Sequence, residues 1–152
     1  MNYWLMKSEP DVYGIEHLKA EPRKTDHWDG IRNYQARNMM RDEMKKGDLA
    51  FFYHSNCAEP GIVGIMSIVR EAYVDHTQFD PDEKYYDPKS TPENPRWLMV
   101  DVKYKRMLKR NITLSELKAQ KKLEDMRLVQ RGNRLSIMPV TEKEWDYILG
   151  ME

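Results

Sequence analysis

Cysteine is nearly absent from this sequence, because Cys57 is the only one among 152 residues. A single thiol excludes an intrachain disulfide and fits a reducing compartment. The chain has four histidines, His17, His27, His54 and His76. No two of them have the spacing of metal ligands, and no CxxC motif accompanies them. We therefore expect neither a structural metal nor a cofactor.

Long apolar runs are also missing. No stretch approaches the roughly 20 apolar residues that span a bilayer. The N-terminus lacks the basic start and the long apolar centre of a signal peptide. Gly-rich turns between a strand and a helix, which cradle phosphates, are absent as well. The lack of a membrane span and of a signal peptide leads us to expect a cytoplasmic protein that does not bind membranes.

The chain has no excess of charge of either sign, with 25 Lys/Arg and 25 Asp/Glu. A net charge of zero argues against a broad, non-specific grip on nucleic acid. The distribution is uneven, since residues 96–134 carry twelve basic and four acidic side chains and residues 71–95 carry seven acids and two bases. This pattern indicates either a basic face beside an acidic loop or an ordinary surface with local bias.

The order of the predicted elements indicates one α+β domain, as the chain length favours. Strands are predicted at residues 3–7, 48–54, 62–74, 97–107 and 135–138, the last stopped by Pro139. Helices follow Asn33, Thr113 and Thr141, and the latter two begin with capping boxes. Residues 21–32 read as a polar loop, and residues 75–95 read as a long loop or lid, called the acidic loop below. Five or six consecutive strands with inserted helices predict a small mixed barrel with helices packed around it.

One short segment could support nucleophilic catalysis. His54, Ser55, Asn56 and Cys57 place a base, a hydroxyl and a thiol together at a strand end. Adjacent strand residues point to opposite faces, so His54 is poorly placed to activate Ser55. A pair of His54 and Cys57 across a turn and a simple turn with a half-buried thiol both remain open.

Aromatic and polar side chains suggest a second kind of chemistry. Trp28, in the predicted polar loop, is either a core residue or a plate on which a base stacks. Tyr85 and Tyr86 lie in the acidic loop, where two adjacent aromatics have little reason to pack unless something covers them. Other side chains could read a base edge or hold phosphates, namely Asn33, Ser55, Asn56, Arg32, Arg37, Arg131 and Arg134.

Seven segments, taken in order, resemble the EVE family over nearly the whole chain. They are YWLMKSEP at 3–10, WDGIRNYQARN at 28–38, GDLAFFYHSNC at 47–57, GIVGI at 61–65, YYDPKS at 85–90, PRW at 95–97 and RLSIMPV at 134–140. The resemblance implies that residues 1–152 form a single EVE domain. It also implies a PUA-like β-barrel related to the YTH domain.

The resemblance further implies a pocket for a modified base, such as a methylated or hydroxymethylated cytosine in DNA or a modified base in RNA. Matched position by position, the pocket residues are Lys7, Ser8, Trp28, Asn33, Ser55 and Asn56. Wall or lid residues are Tyr85 and Tyr86, and Arg134 and Ser136 are further candidates from the last strand.

The resulting expectation is a non-catalytic module, taken as a monomer, that captures a base extruded from DNA or RNA. A hydrolase acting on a modified nucleoside is the first alternative, with Lys7 or Glu9 as acid or base. A displaced pKa in the pocket would favour it. The second alternative is an adaptor protein with a vestigial pocket, which a collapsed cleft beside Trp28 would favour.

Overall fold

A six-stranded mixed sheet forms the centre of the computed structural model, which describes residues 1–152. The strands are β1 (Tyr3–Ser8), β2 (Thr25–Trp28), β3 (Leu49–His54), β4 (Gly61–Val74), β5 (Leu98–Thr113) and β6 (Ile137–Val140). Their order is β2-β5-β4-β3-β1-β6. Only β1 and β3 pair in parallel, and the other neighbours are antiparallel.

Five α-helices and four short 3₁₀ turns surround the sheet. The helices are α1 (Pro10–Tyr13), α2 (Ile15–Ala20), α3 (Tyr34–Asp42), α4 (Leu114–Lys118) and α5 (Glu142–Leu149). The 3₁₀ turns are Pro22–Lys24, His76–Phe79, Lys121–Leu123 and Arg127–Val129. None of the helices combines the length and the hydropathy that a membrane crossing requires.

The predicted mixed β architecture with helices around it is confirmed, but the sheet is open. Closing a barrel requires the two edge strands to pair. Here β2 and β6 lie at opposite ends of the strand order and do not pair with each other. Each of these edge strands has only four residues, so each offers little backbone for closure.

Two hydrophobic clusters cover the two faces of the sheet. Successive strand residues point to opposite faces, so Phe52 joins one cluster and Phe51 the other. Helices α2 and α3 cover the Phe52 face, and α4 and α5 cover the Phe51 face, where Trp145 stacks on Phe51 at 3.9 Å between ring centroids. Burial on both faces explains why the central strands read as apolar runs with weak alternation.

Element boundaries differ from the predictions at several points, and strand β5 continues to Thr113, where the predicted strand ended at residue 107. Residues 21–32 are not wholly a loop, because β2 occupies Thr25–Trp28. Helix α3 ends at Asp42 rather than near Lys46. Strand β6 includes Pro139, since β6 is an edge strand and tolerates a residue with no backbone N–H. The two predicted capping boxes, Thr113 with Glu116 and Thr141 with Glu144, are both confirmed.

Candidate functional site

A cavity of about 450 Å³ opens where β1 and β3 end side by side. Because the two strands are parallel, their carboxyl ends meet at one edge of the sheet. The backbone N–H of Ser55 donates to the carbonyl of Ser8 at 3.0 Å, and that of Lys7 donates to the carbonyl of Ser136 at 2.8 Å. Three distant segments are thereby held together, and the cavity has the size of small-molecule sites.

Seven of the ten predicted site residues line this cavity. They are Lys7, Ser8, Trp28, Ser55, Tyr85, Arg134 and Ser136. They come from β1, β2, the residue after β3, the acidic loop and the segment before β6. The fold therefore brings together side chains that are up to about 130 positions apart in sequence. Their individual roles in binding stay predictions.

The other three predicted residues lie outside the lining, and each has a local reason. The side chain of Asn33 accepts the backbone N–H of Ala36 at 2.9 Å and so caps α3. Asn56 adopts a positive φ of 51° and donates to Glu9 Oε1 at 3.1 Å. Tyr86 is 40% exposed and does not line the cavity.

Trp28 lies on a strand and in the core, not in a polar loop. Only 7% of the residue is exposed, and its indole packs edge-to-face on Phe52 with ring centroids 5.4 Å apart. It therefore contributes a narrow part of one wall to the cavity. Trp28 is therefore a core residue that also lines the cavity, and its stacking on a base stays a prediction.

Tyr85 offers a larger free aromatic surface, because 41% of it is exposed. Its ring lies over Gly30, where an added Cβ would stand 2.7 Å from Cδ2 of the tyrosine. Gly30 also has a φ of +82°, a conformation that side chains other than glycine disfavour. The glycine of the WDG sequence is therefore what allows the ring of Tyr85 to lie against the cavity rim.

An ion pair fastens the acidic loop to the segment after β2. Asp75 is fully buried, and its carboxylate accepts from the backbone N–H of Gly30 at 2.9 Å and from Arg32 Nη1 at 3.0 Å. The same arginine donates through Nε to the carbonyl of Tyr85 at 2.8 Å. Burial alone would raise the pKa of Asp75, but hydrogen bonds from Thr77, Gly30 and Arg32 outweigh it and lower that pKa.

Further hydrogen bonds give the acidic loop its shape. Gln78 is fully buried, and its amide oxygen accepts from the hydroxyl of Ser90 and from the backbone N–H of Trp97. The indole N–H of Trp97 donates to Asp87 at 2.7 Å and lowers the pKa of that carboxyl, with help from the N–H of Lys89. The loop is therefore an ordered wall of the cavity.

Several residues that line the cavity were not predicted from the sequence, among them Tyr13, Asp26, His27 and Asp29. A signal was present for one of them. Residues two apart on a strand share a face, so Asp26 belongs with Trp28 once 25–28 is read as a strand. Tyr13 had no such signal, because its position depends on how α1 packs.

The lining mixes charges of both signs. Lys7, Lys84 and Arg134 contribute cations, and Glu9, Asp26, Asp29 and Glu83 contribute carboxylates. Burial lowers the pKa of Lys7. A cavity with more carboxylates than cations disfavours a phosphate and suits a neutral ligand with both donors and acceptors.

The side chains of His54 and Cys57, the candidate catalytic pair, make contacts with backbone groups instead. His54 Nε2 accepts the backbone N–H of Ile15 at 3.1 Å, and burial lowers the pKa of this imidazole. The thiol of Cys57 lies 3.8 Å from the carbonyl oxygen of His54, and Cys57 does not line the cavity. No group of three His, Cys, Asp or Glu side chains is arranged to hold a metal ion.

Two arginines of the basic segment 96–134 are paired with acids, one outside the segment and one within it. Arg106 pairs with Glu152 at 2.7 Å, and Arg110 pairs with Glu116 at 2.7 Å. These pairs reduce the charge that this surface can offer to a polyanion. The basic excess of the sequence therefore overstates the free cations of the surface.

The EVE domain family matches residues 2–151 of the chain. Thymocyte nuclear protein 1 of Danio rerio is 54% identical over 98% of this chain and 71% of its own length. Its human counterpart is 51% identical over 99% of this chain and 74% of its own length. These names point to the nucleus, so the expectation of a cytoplasmic protein is wrong. A single cysteine fits both compartments, since disulfides are rare in each.

Solved structures agree with this match. The human THYN1 protein in complex with 5-methylcytosine-containing DNA is 51% identical, with a TM-score of 0.95 over 99% of this chain and 97% of that one. A protein from Pseudomonas syringae is 50% identical, with a TM-score of 0.94 over 98% of both chains. The DUF55 domain of human thymocyte nuclear protein 1 has a TM-score of 0.91 at 55% identity. The expected PUA-like fold is thereby confirmed, and the chain belongs to the EVE domain family.

Proposed function

We propose that this protein is a non-catalytic DNA-binding module that holds an extruded, modified cytosine in the cavity. The observation that carries the proposal is the lining itself, which combines aromatic walls with donors and acceptors in about 450 Å³. The human relative at 51% identity, solved with 5-methylcytosine-containing DNA, supports the same class of ligand. A base inside a duplex is unreachable, so it enters the cavity by flipping out of the stack.

Stacking and edge contacts supply the binding energy in this proposal. Tyr85 has the exposed ring on which a base can stack, a contact worth on the order of 1–3 kcal/mol. The hydroxyl of Ser8 donates to the carbonyl of Tyr13 at 2.6 Å, which leaves its oxygen as an acceptor. Ser55 and Ser136 add hydroxyls that can donate or accept. A buried methyl adds about 0.8 kcal/mol, or roughly four-fold, so polar contacts must supply most of the selectivity.

DNA is the proposed partner, and modified RNA is the alternative that the experiment must separate. Fluorescence anisotropy measures the affinity for four labelled 12-mers of one sequence. Two are DNA duplexes and two are RNA, and in each pair the central base is either 5-methylcytosine or cytosine. We expect the methylated DNA to bind most tightly. Equal binding of all four probes would contradict a base-reading function, and preference for the modified RNA would reassign the partner.

Tyr85 and Tyr86 form a matched pair for testing the cavity. They are adjacent and equally exposed, but only Tyr85 lines the cavity. We expect Tyr85→Ala to weaken binding of methylated DNA about 10-fold, because a stacking contact of about 1–3 kcal/mol is lost. Tyr86→Ala should bind as the wild type does. Anisotropy titration measures both, and an equal loss in the two variants would place the contact outside the cavity.

A hydrolase remains the second candidate because burial lowers the pKa of Lys7, which lines the cavity with Glu9. A lowered pKa makes a lysine a better base, but burial is its whole cause here and no neighbouring cation contributes. We expect no released base or nucleoside when the protein is incubated with methylated DNA and the products are separated by chromatography. Product that disappears in Lys7→Met would establish the hydrolase instead. The adaptor alternative predicted a collapsed cleft, and the cleft beside Trp28 is open.

A further inference from the structure

We propose that Asp26 and Tyr13 form an acceptor–donor pair through which the cavity distinguishes a modified cytosine from thymine. The inference rests on the proposed function. 5-Methylcytosine and thymine carry the same methyl group, so neither stacking nor a methyl niche separates them. They differ along the pairing edge. Cytosine donates from its N4 amine and accepts at N3, whereas thymine accepts at O4 and donates from N3.

Tyr13 supplies the donor. Its hydroxyl is one of only two buried side-chain polar atoms without a hydrogen-bond partner, and the other, Asn111 Oδ1, is not part of the cavity. A buried, unpaired hydroxyl is costly, so a ligand that accepts from it gains more than an ordinary hydrogen bond. Burial raises the pKa of Tyr13, and so does its interaction with the carboxylate of Asp26, which lies close to the hydroxyl without meeting the geometry of a full hydrogen bond. The phenol therefore keeps its proton at neutral pH.

The ring of Tyr13 is held in place before any ligand arrives. Its backbone carbonyl accepts from the hydroxyl of Ser8 at 2.6 Å, and its ring stacks on His17 with centroids 5.6 Å apart. A group fixed in this way loses little freedom on binding.

Asp26 supplies the acceptor. It lies in the middle of β2, opposite Val102, and lines the cavity. Its Oδ1 accepts from the backbone N–H of His27 at 2.8 Å, and the carboxylate makes no other hydrogen bond of normal geometry within the chain, although the imidazole of His27 and the hydroxyl of Tyr13 lie near it. A carboxylate accepting from the N4 amine is a common way of reading cytosine.

Thymine presents the opposite pairing edge. Its O4 would face the carboxylate of Asp26, two acceptors with no proton between them, and its N3–H would leave the hydroxyl of Tyr13 able only to accept. Sites built to hydrogen-bond one ligand reject analogues that leave their buried groups unpaired. The pair therefore favours cytosine with or without a methyl group, while the rest of the cavity selects the modification.

Single-stranded DNA 9-mers that differ only in one central 5-methylcytosine or thymine test this pair without the cost of opening a duplex. We expect the wild type to prefer 5-methylcytosine roughly 10- to 100-fold. Asp26→Asn should bring this ratio close to one, because an amide can either donate or accept, and Tyr13→Phe should lower it part of the way, because the donor to N3 is lost while Asp26 remains. Tyr85→Ala should weaken both oligonucleotides equally and keep the ratio.

A matched pair of controls lies on neighbouring strands. The hydroxyl of Tyr73 donates to Asp101, and neither residue lines the cavity. Tyr73→Phe and Asp101→Asn remove the same groups and should leave the ratio unchanged. Circular dichroism melting checks that all five variants are folded.

The possible failures are distinguishable. If the wild type prefers 5-methylcytosine and neither Asp26→Asn nor Tyr13→Phe alters the ratio, the pair does not read the base, and the proposed function stands. If the wild type binds the two 9-mers equally, the pair is likewise overturned. If the wild type binds no modified probe in duplex or single strand, the proposed function itself fails.

Discussion

Trp28→Ala is expected to lower the free energy of unfolding by about 3–5 kcal/mol, the usual cost of emptying a large aromatic site in a core. The residue is 7% exposed and packs against Phe52, so its removal leaves a hole that neighbouring side chains fill only in part. The same change removes part of a cavity wall together with the core packing behind it, and we expect binding of methylated DNA to be lost. Urea unfolding and anisotropy at low temperature measure the two effects.

Trp145 provides the control for this substitution. It is 3% exposed and stacks on Phe51 and Tyr3, on the other face of the sheet. Trp145→Ala should destabilise the protein by a similar amount and leave binding by the folded fraction unchanged. Trp28→Phe should recover most of the lost stability. Full binding by folded Trp28→Ala would show that this wall contributes nothing to recognition.

The fold was predictable where the sequence gives long or redundant signals. Strand β3 and the first half of β4 are apolar runs, and both capping boxes fix the start of a helix through two reciprocal hydrogen bonds. Strand β2 escaped prediction because its four residues are too few to establish an alternation and include Asp26 and His27. Whether the sheet closes into a barrel depends on whether its two edge strands pair with each other, and no local sequence pattern shows this.

The candidate site was predictable only in part, and for a physical reason. The resemblance to the EVE family pointed to Ser8 and Ser55, and the structure brings them together because the carboxyl ends of the parallel strands β1 and β3 meet. Asn33 and Asn56 were predicted to line the cavity and do not, because short amide side chains near turns hydrogen-bond first to the backbone or to a neighbouring side chain. Tyr13 could be assigned to the site only from the structure, because its position depends on how α1 packs beside the cavity.

The composition of residues 75–95 predicted the acidic loop but not the contacts that hold it in place. Its proline and acid content predicted a loop or lid. The structure adds that its first residue, Asp75, is a buried charge that joins the loop to Gly30 and Arg32. Because Arg32 also holds the backbone of Tyr85, the position of the exposed ring depends on this ion pair.

Breaking that ion pair is expected to have the second large effect. Asp75→Ala leaves Arg32, whose side chain is 18% exposed, without its partner and leaves the N–H of Gly30 unpaired. Removing one partner of a buried pair costs about 3–5 kcal/mol, so we expect a loss near the lower end because Arg32 keeps some contact with water. Binding of methylated DNA should weaken as well, since Tyr85 loses its anchor.

The pH dependence of the unfolding free energy separates the contribution of the Asp75 charge from that of its packing. The pKa of this carboxyl is lowered in the folded protein, so its contribution to stability is complete at neutral pH and disappears as the pH falls below about 4. The difference in unfolding free energy between wild type and Asp75→Ala, measured in urea, should therefore shrink between pH 6 and pH 3. The exposed Asp42, which pairs with Arg41, is the control, and Asp42→Ala should change stability little at either pH. A difference for Asp75→Ala that stays constant over this range would mean that packing, not the ion pair, holds the acidic loop.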